Sequence, residues 1–437
     1  MNHTSEPKDP NSRRQFLANS ALFAGAAAAL SGCMAAGEKR LAIPKPGKRA
    51  PLGKDEPIRI GVIGVGGMGG EHCERLINTT ATGRENVQVV AISDVAKPKL
   101  DGWVARAKEV QKIDVAGYRD YRELLARPDI HGVLIATPEH QHAVNSLDAI
   151  AAGKDVYCEK PMTFTREEAF AVMAAVDRSD LIYQVGTQFT THAKYHEAKK
   201  LIQSGAIGKP TLTQTSYCRN SEKGEWLYDI DARLRPGEML DWEGWLGPAG
   251  MRPFDTEIYH RWRRYKRYSH GIVGDLLVHQ MTPLVMALDM GWPTHVSASG
   301  GHYVHTDMNN HDQVFLTIQF EKEHTMVVAG STCNELGLET IIRGHKANLF
   351  MGGNDVVLRP ERIWAEDIEE RTIKCPGIED QQELRLNWLS CIRTRQQPIS
   401  PVELGAKVMV IVDLAVASLW TGHAYRFDPE TMEARRA

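Results

Sequence analysis

From residue 58 onward the chain alternates between short, continuous apolar runs and longer stretches of helical spacing. IRIGVIG (58–64) ends on glycine and reads as a strand covered on both faces. A helix is expected over 68–79, a strand at VQVVAIS (87–93), a helix over 97–110, a strand at VLIA (133–136) and a helix over 140–152. KDVYCEK (154–160) and LIYQVGT (181–187) are further strands. The helix between them opens at Thr165 with Glu168 three residues on, the capping-box spacing. Alternation of this length predicts a parallel, doubly wound sheet with right-handed crossovers. After residue 190 the texture changes. A helix over about 192–204 ends at Gly205, and period-2 stretches follow at 211–217, 313–320, 325–331, 339–344 and 355–359. These predict a largely antiparallel sheet. An aromatic, basic region (226–270) interrupts them, a helix over 272–290 contains a proline, and helices over 383–395 and 402–422 close the chain. The fold class expected is therefore α/β, an N-terminal parallel sheet joined to a C-terminal α/β domain with an open, mainly antiparallel sheet.

The first 33 residues do not share this pattern. Ser12-Arg13-Arg14-Gln15-Phe16-Leu17 is a paired-arginine patch, followed by an apolar, alanine-rich run from Ala21 to Leu30. The run is too short to span a bilayer, which takes about 20 apolar residues. Charged start, short apolar middle and small residues at the end read as an export signal, and the arginine pair resembles the twin-arginine type. Leu30-Ser31-Gly32-Cys33 resembles a bacterial lipobox, which would make Cys33 the acylated residue and the protein a periplasmic or membrane-anchored lipoprotein. Residues 34–56 mix Pro, Gly and Lys without periodicity and suit a flexible linker. The domains expected are a signal with lipobox (1–33), this linker, a nucleotide-binding domain (57–188) and a substrate-binding and oligomerisation domain (189–425).

Composition narrows the function classes. The 437 residues are 42% hydrophobic and 24% charged, values of a globular chain long enough for two or three domains. Lys and Arg number 52 against 55 Asp and Glu, a net charge of -3. That balance favours neither nucleic acid nor an anionic membrane surface, so any membrane contact is expected only through Cys33. The other six cysteines are scattered without a C-x-x-C pair, which supports no disulfide framework.

The chemistry sits at the ends of the predicted strands. Gly64-Val65-Gly66-Gly67-Met68-Gly69 is G-x-G-x-x-G, placed directly after a strand and opening a helix. Gly64 allows the tight turn, Gly66 lets backbone approach a pyrophosphate, and Gly69 permits close helix–strand packing. This is the Rossmann dinucleotide signature; Gly67 and Met68, at the helix start, present free N–H groups to the phosphates. Asp94 ends the second strand, where a carboxylate accepts from the adenosine ribose and repels a 2′-phosphate, favouring NAD over NADP. Lys97 and Lys99 lie close enough to reverse that preference, so NADP stays open. Thr137-Pro138 and His142 follow another strand and can line the nicotinamide ribose. The H-x-H of His140 and His142 has no Cys or carboxylate cluster beside it, and no metal is expected. In Glu159-Lys160-Pro161, again at a strand end, a lysine beside bound dinucleotide can hydrogen-bond an alcohol oxygen and stabilise a developing alkoxide. Arg261, Trp262, Arg263 and Tyr268 offer flat rings and bidentate donors of the kind that hold carbohydrate.

This constellation resembles the Gfo/Idh/MocA oxidoreductases, named for glucose–fructose oxidoreductase, inositol dehydrogenase and a rhizopine-catabolism protein. The resemblance covers about 57–425, specifically in the first half and more loosely in the second. It implies an N-terminal Rossmann domain, a C-terminal open sheet that often mediates dimers or tetramers, and NAD or NADP as cofactor. It also implies an Asp and a His one helical turn apart, which Asp275 and His279 match in GDLLVHQ. On a helix that spacing puts both side chains on one face. His279 can then take the hydroxyl proton while Asp275 orients the ring or the sugar. Many members carry an acidic residue three positions after this histidine, where this chain has Thr282. Pro283 is expected to kink the helix, because it cannot donate to the His279 carbonyl. The LDWEGWLGP stretch (240–248) looks like one in exported, polysaccharide-associated members.

The function expected is an NAD(P)-dependent oxidoreductase acting on a secondary hydroxyl of a sugar or glycoside, its cofactor tightly held because export separates it from the cytoplasmic pool. A redox-neutral, NAD-dependent glycoside hydrolase is the alternative. A non-catalytic sugar-binding lipoprotein is a second alternative, against which the intact glycine loop, Lys160 and His279 argue.

Overall fold

The structure is a computed structural model that describes residues 52–53 and 55–437. The arginine pair, Cys33 and nearly all of the linker lie outside the described residues. Among the described residues no helix is long and apolar enough to cross a membrane.

Six strands form the first sheet: β1 (Ile58–Ile63), β2 (Val87–Ser93), β3 (Ala116–Tyr118), β4 (Gly132–Ile135), β5 (Asp155–Glu159) and β6 (Tyr183–Gly186). All neighbours are parallel, in the order 3-2-1-4-5-6. The continuous apolar runs have the expected cause. Ile58, Ile60, Val62, Val89, Leu134 and Val156 are all wholly buried, because helices cover both faces. β3 and the helix Tyr121–Leu125 were not legible in the pattern; β3 is only AGY at the sheet edge and carries no periodicity. The Thr165–Glu168 capping box is formed, opening the helix Arg166–Asp177.

The second sheet holds β7 (Pro210–Cys218), β8 (Pro293–Gly301), β9 (Gln313–Phe320), β10 (His324–Ser331), β11 (Ile341–Gly344), β12 (Ala347–Phe350), β13 (Val356–Pro360), β14 (Arg371–Ile373), β15 (Tyr425–Asp428) and β16 (Glu433–Arg436). Their order is 14-13-12-11-7-10-9-8-15-16, and every neighbour is antiparallel except β7 with β10. Burial alternates along β9 and β10, so one face is packed. The helix Val402–Thr421 packs against β8 and also against Arg166–Asp177 of the first domain. The sheet runs on to Arg436, beyond residue 425.

Chain order and packing part company in one place. The helix Asp380–Thr394 returns to the first domain, and its Leu384, Trp388, Leu389 and Ile392 share a core with Ile58, Val62 and Leu134. Gln184 Nε2 donates to Leu384 O at 2.6 Å, and Val185 N to Ser400 O at 2.9 Å, so the outer edge of β6 is covered by returning chain. All six described cysteines are free thiols, three of them buried.

Candidate active site

The glycine loop shows why its residues are small. Gly64 has φ +83°, and a Cβ there would lie 2.9 Å from Ala136 O and Thr137 N. A Cβ on Gly69 would lie 1.9 Å from Gly64 O, so the helix could not sit this close to the strand. At Gly66 and Gly67 a Cβ would meet nothing within 4 Å, leaving open space before the helix Gly67–Thr79. That helix start has no side-chain cap. Unclaimed N–H groups facing open space fit a pyrophosphate. Met68 lies at the same start, its sulfur accepting from Gln381 Nε2 at 3.5 Å.

Asp94 is buried at the end of β2 and accepts from Val65 N and Ala96 N, each at 2.8 Å. It therefore braces the glycine loop as well as standing at the ribose position. Burial raises its pKa, against the opposing pull of Lys99 and the two N–H groups. Lys97 pairs with Asp101, and the Lys99 ammonium lies over the Tyr259 ring at 5.5 Å. Lys97 is thus engaged with Asp101, while Lys99 stays close enough to Asp94 for their charges to interact.

Thr137 Oγ1 donates to Asn145 Oδ1 at 3.0 Å, and Pro138 opens the turn Glu139–Gln141. His142 opens the helix His142–Ala151, and both its ring nitrogens are engaged within the protein. It is 1% exposed, with Nδ1 bonded to Pro161 O at 2.6 Å and Nε2 to Thr137 O at 2.8 Å. Two carbonyl partners require both nitrogens to carry protons. Burial opposes that charge, but Cys158 and the two carbonyls outweigh it and push the pKa up to about 9. His142 ties the turn after β4 to the turn after β5. His140 points elsewhere, to Trp245 O at 2.9 Å, so the H-x-H pair does not converge. Replacing His142 by Gln should destabilise the fold by about 1–3 kcal/mol, the range for unsatisfied buried groups. The stabilisation from its raised pKa is full below the ordinary value of 6.5 and is lost as pH rises through about 9. Thermal melts across that range should show the gap between wild type and variant narrowing; a constant gap would contradict the charged imidazole.

Lys160 leaves the end of β5 and crosses to the second domain. Its Nζ donates to Asp275 O at 2.7 Å and Asp275 Oδ1 at 2.9 Å. Arg263 Nε reaches the same Oδ1 at 3.1 Å, and Trp226 Nε1 reaches Oδ2 at 3.1 Å. Burial would raise the Asp275 pKa, but Lys160 and Arg263 outweigh it and hold the carboxyl well below the usual range. Trp226 adopts φ 57°, a strained backbone for a tryptophan. The segment Ile272–Leu277 is wound as a π-helical turn and only Val278–Leu288 is α-helical, so the expected single α-helix is corrected there. π turns of this kind cluster at functional sites. His279 follows on the α segment, 7% exposed, between Phe189 (ring centroids 5.3 Å) and Tyr217 (5.9 Å). Its Nδ1 is buried without a partner. Burial, then Lys160, pull its pKa down to about 3, so the imidazole is neutral at ordinary pH.

Behind Lys160 stands a buried relay absent from the sequence reading. Arg385 donates to His72 Nδ1 at 2.8 Å, and His72 Nε2 donates to Glu159 Oε1 at 2.9 Å. Burial works against the charge of Glu159, but the His72 bond and the nearby Lys160 hold its pKa below the ordinary value. Glu139 was also missed. It accepts from Ser269 Oγ at 2.6 Å and His270 N at 2.9 Å, joining the turn after β4 to the approach of the π turn. Burial and the Asp275 charge push its pKa up to about 7. No spacing rule could pair these residues, since 130 positions separate Glu139 from Ser269.

A family model described as the oxidoreductase family, NAD-binding Rossmann fold, matches residues 58–187, and one for the C-terminal α/β domain of that family matches 191–436. The chain belongs to the Gfo/Idh/MocA oxidoreductase family. Its first domain is an NAD-binding Rossmann domain. The inositol 2-dehydrogenase of Burkholderia cenocepacia is 34% identical over 169 residues, 38% of this chain and 48% of that protein. The enzyme of the same name from Pseudomonas savastanoi pv. phaseolicola is 35% identical over 173 residues, again 38% and 48%. The chain thus spans about half the length of the curated relatives it matches. Among solved structures, levoglucosan dehydrogenase in complex with NADH matches with a TM-score of 0.64 at 21% identity, over 84% of this chain and 98% of that one. An NAD-binding protein from Listeria innocua gives 0.60 at 20%, over 84% and 96%. These two likenesses show the fold.

Within this Gfo/Idh/MocA chain the four residues expected at substrate divide. Arg263 bonds Asp275 at 3.1 Å, and its guanidinium lies over the Trp262 ring at 4.2 Å, which brings Trp262 next to that pair. Arg261 is turned away, donating to Tyr228 O and pairing with Glu257. Tyr268 is 0% exposed, packed between His140 and Trp245, and presents no face to a ligand. Thr282, where many family members are acidic, is buried and donates to Val278 O at 2.7 Å. Its hydroxyl is thus spent on the helix's own backbone.

Proposed function

We propose that the protein is an NAD-dependent oxidoreductase acting on a secondary hydroxyl of a sugar or glycoside. The observation that carries this reading is the meeting of Lys160 from one domain with Asp275 and His279 from the other, above the carboxyl end of β5. Ligands of open α/β sheets sit in that position. NAD, when bound, supplies the hydride acceptor. Lys160 donates a hydrogen bond to the substrate oxygen and stabilises the charge that develops on it. His279, neutral because its pKa is about 3, takes the hydroxyl proton. Asp275 offsets the positive charges of Lys160 and Arg263 and fixes the ammonium in place. Arg263 and Trp262 give the pocket a cation and a ring face suited to a polyhydroxylated ligand. The naming of relatives as inositol 2-dehydrogenase and levoglucosan dehydrogenase supports a cyclic polyol or sugar as substrate class.

Purified protein supplied with NAD and a panel of cyclic polyols, sugars and glycosides tests this. Nicotinamide fluorescence should rise with at least one of them and a ketone should accumulate. Release of aglycone without net reduction would instead establish the redox-neutral hydrolase, and bound sugar without either product would establish a binding protein.

A further inference from the structure

By chain order residues 234–259 belong to the second domain, but they are fastened to the first. Asp241 N donates to Val95 O and Lys97 N to Met239 O, both at 3.0 Å. Arg119 donates to Gly237 O at 3.1 Å. The first two bonds hold the segment to the loop after β2, immediately beyond Asp94, and the third to the turn after β3. Farther along, Gln141 Nε2 donates to Gly244 O and Trp245 O, each at 2.8 Å, beside the His140 bond to Trp245 O. Those hold it to the loop after β4. The segment therefore bridges the two loops that flank the carboxyl end of β1, the crevice where a dinucleotide lies with its ribose at the β2 acid.

The bridge is a packed body rather than a loose loop. Trp242 stacks on Trp245 with centroids 4.8 Å apart and planes 9° apart. Leu240, Trp242, Trp245 and Tyr259 share an apolar nucleus that takes in Ala96 of the first domain. Tyr259 carries the Lys99 ammonium over its ring, and the Asp94 charge is close enough to raise its pKa, after burial as the larger cause. No residue of this bridge touches Lys160, Asp275 or His279 through a hydrogen bond, so its aromatics serve another end than the chemistry.

We propose that residues 237–247, backed by Tyr259, form an outer wall over the adenosine half of the NAD site and retain the nucleotide between turnovers. This rests on the reading of the protein as an NAD-dependent oxidoreductase. Release then requires the wall to come off all of these loops together, and opening of such a cover can limit exchange. The double variant Arg119→Ala, Gln141→Ala removes side-chain fastenings and leaves the apolar nucleus whole. NADH is loaded, and its release into excess NAD is followed by the loss of tryptophan-to-nicotinamide energy transfer; nucleotide extracted from the protein as purified is counted in parallel.

The wild type should retain nucleotide through purification and release it slowly, and the double variant should release it about tenfold faster or more, a difference of roughly 1.4 kcal/mol in the barrier. Circular dichroism and thermal melts confirm that the variant is folded; if it is not, Arg119→Ala alone is used. Equal release rates in folded variant and wild type, or fast exchange by the wild type, would overturn the wall and leave the oxidoreductase reading standing. A wild type that binds no NADH would overturn both.

Discussion

Lys160→Ala should lower turnover about 10²–10⁴-fold, the range of a lost oxyanion donor or acid–base group, while nucleotide stays bound. The structure separates chemistry from stability at this position. Asp275 would keep its bonds from Arg263 and Trp226, so the carboxylate is not left unpaired and the fold should survive. The glycine loop and Asp94 are untouched, so NAD content should match the wild type. Lys160→Arg should not restore activity, because a planar fork cannot take the place of a point charge that reaches the Asp275 backbone carbonyl and Oδ1 together. Steady-state kinetics with a nucleotide count on the same preparation check this. Turnover near wild type in the alanine variant would remove Lys160 from the mechanism.

His279→Ala should give a comparable loss, about 10²–10⁴-fold, with a distinctive pH dependence. In the wild type burial and the Lys160 charge depress the His279 pKa to about 3, so the base form is present at all higher pH. The rate should therefore show no inflection from this histidine across the mildly acidic to neutral range. In the variant solvent hydroxide must replace the imidazole, so residual turnover should climb with pH. A profile of kcat/KM against pH for both proteins decides the matter. A wild-type inflection near neutrality that vanishes in the variant would mean that His279 is charged at rest, contrary to its buried position beside the ammonium.

The glycine loop, the strand-end acid and the Glu159-Lys160 turn were legible because each is local. A turn that must bring backbone against phosphate excludes side chains wherever the chain crowds itself, as at Gly64 and Gly69, and that exclusion is written directly into residue choice. Strands covered on both faces announce themselves as unbroken apolar runs for the same reason. Roles set by a second chain segment were not legible. His142 carries the spacing of a helix-start ligand, yet tertiary packing turns both its nitrogens onto carbonyls. Tyr268 belongs compositionally with Trp262 and Arg263 but sits on the buried side of the segment. The His72–Glu159–Arg385 relay needs a helix that returns to the first domain after almost two hundred residues in the second.

Residue order by itself determined the parallel sheet, the nucleotide cradle and the presence of an ammonium and an imidazole that suit the proposed hydride transfer. Only the tertiary structure decided which groups meet: that Lys160 closes on Asp275 across the domain boundary, that His279 is neutral, and that the aromatic segment 239–245 is fastened to loops of the first domain. The physical reason is common to all three. Charge state and contact depend on what surrounds a group in space, and burial among distant segments has no counterpart in the spacing of residues along the chain.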